Sequence, residues 1–243
     1  MDKFDIIVIG SGAGTHVASQ ARHAGLRVAL VDQGPTGGTC LNNGCVPSKM
    51  LIHPADVVRT IQDARAVGVH AEVNEIDFPA IMSRMHKVVD STRRSLEEAL
   101  KSKENLAYFQ DRAEFIDDYV LAVGGKTITA PKIVIATGAR SLVPPIPGLQ
   151  QAGFLDNVSM LRLEALPQSL IIIGAGYIGC EFGHFFSAMG SKVTILGRSP
   201  QVLKGEDPEA SGLVQRVLSQ YMRVITSHEV ISVETKGGKR IVS

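Results

Sequence analysis

Cys40 and Cys45 are the residues with the clearest chemistry in this sequence. They stand five positions apart in Gly37-Gly38-Thr39-Cys40-Leu41-Asn42-Asn43-Gly44-Cys45-Val46-Pro47-Ser48-Lys49, a glycine-rich segment that runs into a helical pattern. Two thiols at this spacing can reach disulfide geometry across about one helical turn. A helix N-terminus also lowers a thiol's pKa and makes it a better nucleophile. A pair of small buried hydrophobes, or half of a metal site, would use the same residue types. Zinc, however, needs further Cys or His at ligand spacing, and the one other cysteine, Cys180, lies far along the chain in a second glycine-rich turn. No metal site is expected. Three cysteines do not make the disulfide framework of a small secreted domain either, and the spacing favours a redox dithiol.

The elements that must position the thiols begin at the N-terminus. An apolar run from Phe4 to Ile9 meets the turn Gly10-Ser11-Gly12-Ala13-Gly14, a helical stretch follows to about Ala24, and a second apolar run from Arg27 to Val31 is closed by Asp32. This is a strand–helix–strand start. Gly10 and Gly12 let the backbone approach a pyrophosphate at the helix N-terminus, and Asp32, 22 positions after Gly10, can accept hydrogen bonds from an adenosine ribose. Thr15 replaces the third glycine of the usual fingerprint, which predicts looser packing of helix on strand. The pattern recurs at Ser169 to Ile173, Gly174-Ala175-Gly176-Tyr177-Ile178-Gly179, a helix to about Met189, and Lys192 to Leu196. Here Gly197 stands where Asp32 stands in the first unit, and Arg198 follows. Without a carboxylate for a free 2'-hydroxyl, and with Arg198 and Lys204 able to pair with a 2'-phosphate, NADP is favoured over NAD. Arg198 as a solvated loop residue is the plainer alternative.

Between the two units the patterning predicts helices over Pro47 to Val67 and Pro79 to Lys101, with strands at Leu106 to Phe109, Tyr119 to Val123, Lys126 to Thr129 and Lys132 to Ala136. The stretch Val143-Pro144-Pro145-Ile146-Pro147-Gly148 suits a crossing between domains, which puts a boundary near Gly148. After the second unit a helix from Pro208 to Tyr221 is expected, then strands at Arg223 to Thr226 and Val230 to Glu234. The fold class is α/β, with two Rossmann-like three-layer dinucleotide-binding domains over 1–148 and 149–243. The 243 residues, 44% of them apolar, suffice for a sizeable core. With 25 Lys and Arg against 24 Asp and Glu, the net charge of +1 gives no footprint for nucleic acid or an anionic membrane. No apolar run reaches the roughly 18 residues of a membrane helix. The first residues carry no basic region ahead of a long apolar stretch, so no signal peptide is read and a cytoplasmic location is expected.

The segment from Gly37 to Lys49 resembles the redox-active signature of the class I pyridine nucleotide-disulfide oxidoreductases, a family that includes dihydrolipoamide dehydrogenases and glutathione, mycothione and mercuric reductases. Ile135-Ala136-Thr137-Gly138-Ala139-Arg140, followed by Pro144 and Pro147-Gly148, resembles its second flavin-contacting segment. Gly174 to Glu181 resembles its nicotinamide-dinucleotide turn. The resemblance implies FAD in the first unit, held by Gly10, Gly12, Gly14, Asp32, Gly38, Thr39, Lys49, Ala113, Ala136, Thr137 and Gly138. It implies NAD or NADP in the second, held by Gly174, Gly176, Tyr177, Ile178, Gly179, Glu181 and Arg198. Cys45 would face the flavin and form a thiolate-flavin charge-transfer complex, and Cys40 would exchange with substrate. Lys49 would be a buried cation near the flavin, its burial offset by Glu181, although both residues as surface charges is the simpler alternative. Tyr177 resembles a ring covering the nicotinamide pocket, or is simply an apolar residue at a helix start. Ala113 would offer a backbone contact on the adenine side.

Relatives of this type run to about twice the length. The chain therefore reads as an N-terminal half, with the rest of the second domain and a C-terminal dimerisation domain lying outside it. The family's His-Glu acid/base pair, supplied by a partner subunit, is not found among the contexts of the seven histidines, so the chain alone is expected not to turn over. The implied function is an FAD-dependent disulfide oxidoreductase of homodimeric type acting on a small dithiol or disulfide, most like dihydrolipoamide dehydrogenase. An NADPH-dependent reductase of a small disulfide or mercuric ion is the alternative within the family, and a non-catalytic FAD- or NAD(P)-binding fragment the alternative outside it.

Overall fold

The chain begins with a two-residue strand, Asp2–Lys3 (β1), and enters the apolar run Ile6–Ile9 (β2). Helix Ala13–His23 (α1) leads back to a second all-apolar strand, Val28–Val31 (β3). Such runs suit strands covered on both faces, and the two pair in parallel from Ile6 opposite Val28 to Ile9 opposite Val31. Then come Gly38–Asn43 (α2), Cys45–Asp63 (α3) and Phe78–Lys101 (α4). The strands Leu106–Phe109 (β4), Ala113–Asp117 (β5), Val120–Val123 (β6), Lys126–Thr129 (β7) and Ile133–Ile135 (β8) follow. The computed structural model describes all residues, 1–243, and the chain forms two compact units. One joins Met1–Pro47 to His86–Arg140, the other Ser48–Met85 to Ser141–Ser243.

In the first unit, β4, β3, β2 and β8 lie side by side as a parallel sheet, and β1, β7, β6 and β5 form a second sheet. The two-residue side-chain period of a strand sorts the core. Ile7, Ala29 and Val31 point to the second sheet and pack with Leu121, Val123 and Ile128. Ile6, Val8, Val28 and Leu30 point the other way, onto Ala18 of α1 and Leu100 of α4. The unit is thus three layers, sheet on sheet on helices.

The second unit contains Leu149–Ala152 (α5), Ser169–Ile173 (β9), Tyr177–Met189 (α6), Lys192–Leu196 (β10), Pro208–Leu218 (α7) and Arg223–Ile225 (β11). The hairpin Val233–Lys236 (β12) and Lys239–Val242 (β13) completes it. Its parallel sheet runs β11, β10, β9. Phe185 and Phe186 of α6 are buried against Phe78, with ring centroids 6.1 and 6.4 Å apart. Asp207 caps α7 by accepting from the Glu209 amide at 2.8 Å, with Pro208 as the first helical residue. No helix is long and apolar enough to cross a membrane.

Three expectations change. The units divide at Arg140, not at Gly148, and the stretch 48–85 packs with the C-terminal residues. Gly148 is built into the second unit, where a Cβ would lie 1.9 Å from the Val233 carbonyl oxygen. The last expected strand is shifted to β12, because Gly237 and Gly238, both at positive φ, form a two-residue hairpin turn that fixes its register with β13. Thr15 does not loosen the first unit either. The close approach is made one residue earlier, by buried Gly14, whose Cβ would sit 2.8 Å from Val8 Cγ1 and 3.3 Å from Ala136 Cβ.

Gly14→Leu is therefore an overpacking substitution and should lower stability by about 1–3 kcal/mol. A fall in the urea unfolding midpoint measures it, and an unchanged midpoint would show that α1 can shift away from β2 without loss.

Candidate functional site: two glycine turns and a thiol pair

The first turn is built from backbone pressed on backbone. Gly10 has φ +110°, and a Cβ there would fall 2.1 Å from the Ala136 carbonyl oxygen at the end of β8. Gly38, at φ +61°, would place a Cβ 2.6 Å from Gly12 Cα. Residues 10–14, 37–38 and 136 are thereby gathered at one end of the parallel sheet, with Thr137 and Gly138 exposed beside them. Asp32, at the end of β3, accepts from the Ser11 amide at 2.6 Å through Oδ2 and from the Gly34 amide at 2.8 Å through Oδ1. Ser11, itself buried, accepts from the Gly37 amide at 2.9 Å. Ala113 belongs instead to β5 of the antiparallel sheet, opposite Val123.

Both turns fit a dinucleotide. Gly12 and Gly176, the residues that precede α1 and α6, make no side-chain cap, so the first amides of each helix are left for an anion. In the second turn Gly174 (φ +118°) and Gly176 would meet nothing within 4 Å of an added Cβ, an open cradle for a pyrophosphate. Gly179 is the opposite case: its Cβ would meet the Gly174 carbonyl oxygen at 2.1 Å, so it packs helix to turn. Two surface concavities of this unit, of about 610 Å³ along α7 and about 750 Å³ beside α3, are lined by neither turn.

The thiols sit where α2 gives way to α3. Asn42 Nδ2 donates to the carbonyls of Pro35, Thr36 and Gly38 at 3.2, 3.0 and 2.9 Å, tying α2 to the preceding loop. Gly44 lets α3 start hard against it, since a Cβ there would lie 3.0 Å from the Thr39 oxygen and 3.2 Å from Cys40 Cα. Cys40 and Cys45 are exposed and unbridged. The Cys40 thiol is held above its ordinary pKa, first by its hydrogen bond to Cys45, then by partial burial and the neighbouring sulfur's charge. The amides of Cys45 and Val46 at the start of α3 pull it down. The lowering expected from a helix N-terminus is thus present but outweighed at Cys40. Cys180 is buried, and burial pushes its thiol up to about 11, so it stays an inert packing residue.

In the second unit Lys49 pairs with Glu181 of α6 and lies 3.4 Å from Ser48 Oγ. The Lys49 side chain is 61% exposed and that of Glu181 32%, which corrects the expectation of a buried cation. An exposed pair contributes little to stability. Sequence reading missed the rest of this row. Asp56 meets His184 at 2.9 Å, Arg59 donates to Ser187 Oγ at 2.8 Å and stacks 3.9 Å over the Tyr221 ring, and Tyr221 Oη donates to Asp63 at 3.0 Å. The signal was the polar spacing 49, 56, 59, 63 along one face of α3. Tyr177 and Ile178 are exposed, and the Tyr177 hydroxyl donates to Glu206, whose carboxylate raises its pKa. Arg198 is exposed beside buried Gly197.

Removing the Cys45 sulfur removes the leading cause of the Cys40 shift. In Cys45→Ala the pH midpoint for alkylation of Cys40 by iodoacetamide, followed by peptide mass spectrometry, should move down from that of the parent protein. An unmoved or higher midpoint would show that burial, not Cys45, holds the proton.

The sequence profile for pyridine nucleotide-disulphide oxidoreductases matches residues 4–242. The chain is 34% identical over 218 residues to a mercuric reductase of Lysinibacillus sphaericus, covering 89% of this chain and 40% of that protein. It is 36% identical over 245 residues to a dihydrolipoyl dehydrogenase of Chlamydia muridarum, covering 98% and 52%. A mycothione reductase of Mycobacterium tuberculosis is 30% identical, with coverages of 98% and 53%. Among solved structures, the Cu(II) complex of the HOCl-induced flavoprotein disulfide reductase RclA from Escherichia coli superposes with a TM-score of 0.85 at 34% identity, covering all of this chain and 53% of that one. The chain thus spans about half the length of the curated relatives it matches. Two uncapped glycine turns, a thiol pair and a profile match over almost every residue lead to one assignment: the chain belongs to the pyridine nucleotide-disulphide oxidoreductase family.

Proposed function

We propose that this chain carries the FAD site, the NAD(P) site and the redox dithiol of an FAD-dependent disulfide oxidoreductase. The observation that carries the proposal is the hydrogen-bonded Cys40–Cys45 pair at the start of α3, in a chain whose α1 and α6 both begin uncapped. The first unit would hold FAD through Gly10, Gly12, Gly14, Asp32, Gly38, Thr39, Ala136, Thr137 and Gly138, with Ala113 toward the adenine. The second would hold NAD(P) through Gly174, Gly176, Tyr177, Ile178, Gly179 and Arg198. When bound, the flavin supplies a two-electron relay between a hydride and a disulfide.

The chain's own sulfurs then do the exchange. The Cys40 thiolate attacks a substrate disulfide, forming a mixed disulfide and releasing one substrate thiolate. Cys45 attacks the Cys40 sulfur, the Cys40–Cys45 bond forms, and the second substrate thiolate leaves. Overall, NAD(P)H, a proton and a disulfide give NAD(P)+ and two thiols. The raised pKa of Cys40 means that this thiol must hand its proton to a base before it reacts.

The substrate class proposed is a small dithiol or disulfide, as in dihydrolipoyl dehydrogenase. Gly197 and Arg198 favour a second reading, an NADPH-dependent reductase of a small disulfide or of mercuric ion. A homodimeric assembly and a cytoplasmic location belong to the same proposal.

The test is an anaerobic titration of the FAD-loaded protein with NADH and, separately, NADPH. A long-wavelength absorbance band that appears with one nucleotide, and is lost in Cys45→Ser, is expected. Bleaching of the flavin with no such band in the parent protein would remove the dithiol from the electron path.

A further inference from the structure

Helix α2, which carries Cys40, is too short to hold its own place. It has six residues, and Gly37 before it offers no side-chain cap, whereas an isolated helix in water needs roughly 12 residues to be even marginally stable. Its position is set by what it is tied to. Asn42 Nδ2 donates to the carbonyls of Pro35, Thr36 and Gly38, and Asn42 Oδ1 accepts from Arg93 of α4 at 3.4 Å. Leu41 is buried against Gly37, where a Cβ would lie 2.4 Å from Leu41 Cδ2. Most of these ties end on residues 35–38, so α2 is only as fixed as that loop.

Two hydrogen bonds tie residues 36 and 37 to the rest of the first unit. The Gly37 amide donates to Ser11 Oγ at 2.9 Å, in the first glycine turn. The other comes from β4, the edge strand of the parallel sheet: Thr36 Oγ1 and Tyr108 Oη share a hydrogen bond of 2.7 Å. Thr36 is fully enclosed, so no solvent can replace that partner. Tyr108 is half-buried, and burial holds its phenol above the ordinary pKa, which keeps the hydrogen on the oxygen at neutral pH. A buried hydroxyl left without a partner costs more than the bond itself contributes, so the pair resists separation. Between Thr36 and Cys40 stand only Gly37, Gly38 and Thr39. Two residues without side chains would let α2 swing if Thr36 were loose.

We propose that Tyr108 is a positioning residue for the thiol pair, acting through Thr36 to hold α2, and with it Cys40, within reach of Cys45. Tyr108 touches neither sulfur. Its effect is on the effective concentration of one thiol at the other, which governs how readily the pair closes to a disulfide. The inference rests on the redox reading of Cys40 and Cys45.

The experiment equilibrates FAD-saturated protein in glutathione buffers, quenches with acid, alkylates the remaining thiols and follows the bridged peptide by mass spectrometry. The pair's two thiols and one glutathione disulfide give the Cys40–Cys45 disulfide and two glutathione thiols. At half-bridging, the squared glutathione concentration divided by that of glutathione disulfide is the effective concentration. It should fall about fivefold or more in Tyr108→Phe and in Thr36→Val, the scale of one hydrogen bond. Tyr108→Phe should also lower the urea unfolding midpoint, because it strands the Thr36 hydroxyl. The double variant Thr36→Val/Tyr108→Phe removes both polar partners and should recover that midpoint, yet keep the fall in effective concentration, since the tie is still missing. Recovery of both together would show that the bond acts through stability alone and would overturn the inference. An equilibrium unchanged in both single variants would also overturn it and leave the redox reading standing. If the parent pair forms no disulfide even in glutathione disulfide alone, the redox reading fails and this inference with it.

Discussion

At the glycine turns backbone packs directly on backbone, and the remaining geometry is arranged around them. At Gly10, Gly38 and Gly179 an added Cβ would lie within 2.1 to 2.6 Å of a main-chain atom of another segment. Glycine at such positions costs conformational entropy, of order 0.5–1 kcal/mol each. The strands beside them offset that cost: β2 and β3 are buried on both faces, and Ile7, Val8, Val28 and Leu30 are fully enclosed. The rigid sheet holds the turns, and the turns keep side chains away from the first amides of α1 and α6. Those amides are the functional product of the packing, since a side-chain cap at Gly12 or Gly176 would occupy the groups that an anion needs.

The thiol pair follows the same logic on a smaller scale. Gly44 removes the Cβ that would hold α2 and α3 apart, which lets Cys40 lie against the opening amides of α3. Those amides favour a thiolate, whereas the neighbouring Cys45 sulfur favours the protonated thiol, and at Cys40 the sulfur wins. The third cysteine shows the contrast: at Cys180 burial, aided by the charge of Glu181, holds the thiol protonated.

What could be read from the sequence was what is local. Lys192–Leu196, Leu106–Phe109 and Ser169–Ile173 appear as strands with the expected bounds, because an apolar run between turn residues specifies itself. Helix α2 was hidden by the glycines that flank it, and β5 by its polar, exposed face. Gly14 reads in the sequence as a cofactor residue and not a packing one, because the usual fingerprint places the packing glycine one residue later, and only the approach of Val8 and Ala136 reveals the substitution. Lys49 was expected to be buried because its pairing with Glu181 was inferred without knowing how much solvent reaches it. The α3 to α6 row, from Asp56–His184 to Arg59–Ser187, joins residues 128 positions apart. Such contacts exist only once the units have folded.

The internal repeat shows how one backbone frame carries two electrostatic outcomes. In both units the residue after the second strand donates its amide to the third strand, and the glycine turn lies one strand away. In the first unit the frame has room for a carboxylate, and Asp32 uses it to accept from the turn itself through the Ser11 amide. Its negative charge stands beside the helix amides and disfavours any further anion at the ribose. In the second unit a Cβ at 197 would lie 2.9 Å from Ala175 Cβ, and glycine stands there. The nearest charged side chain along the chain is then Arg198, one residue further on. The same strand–turn–helix frame thus occurs twice in one chain, with a carboxylate at the end of its second strand in one copy and none in the other.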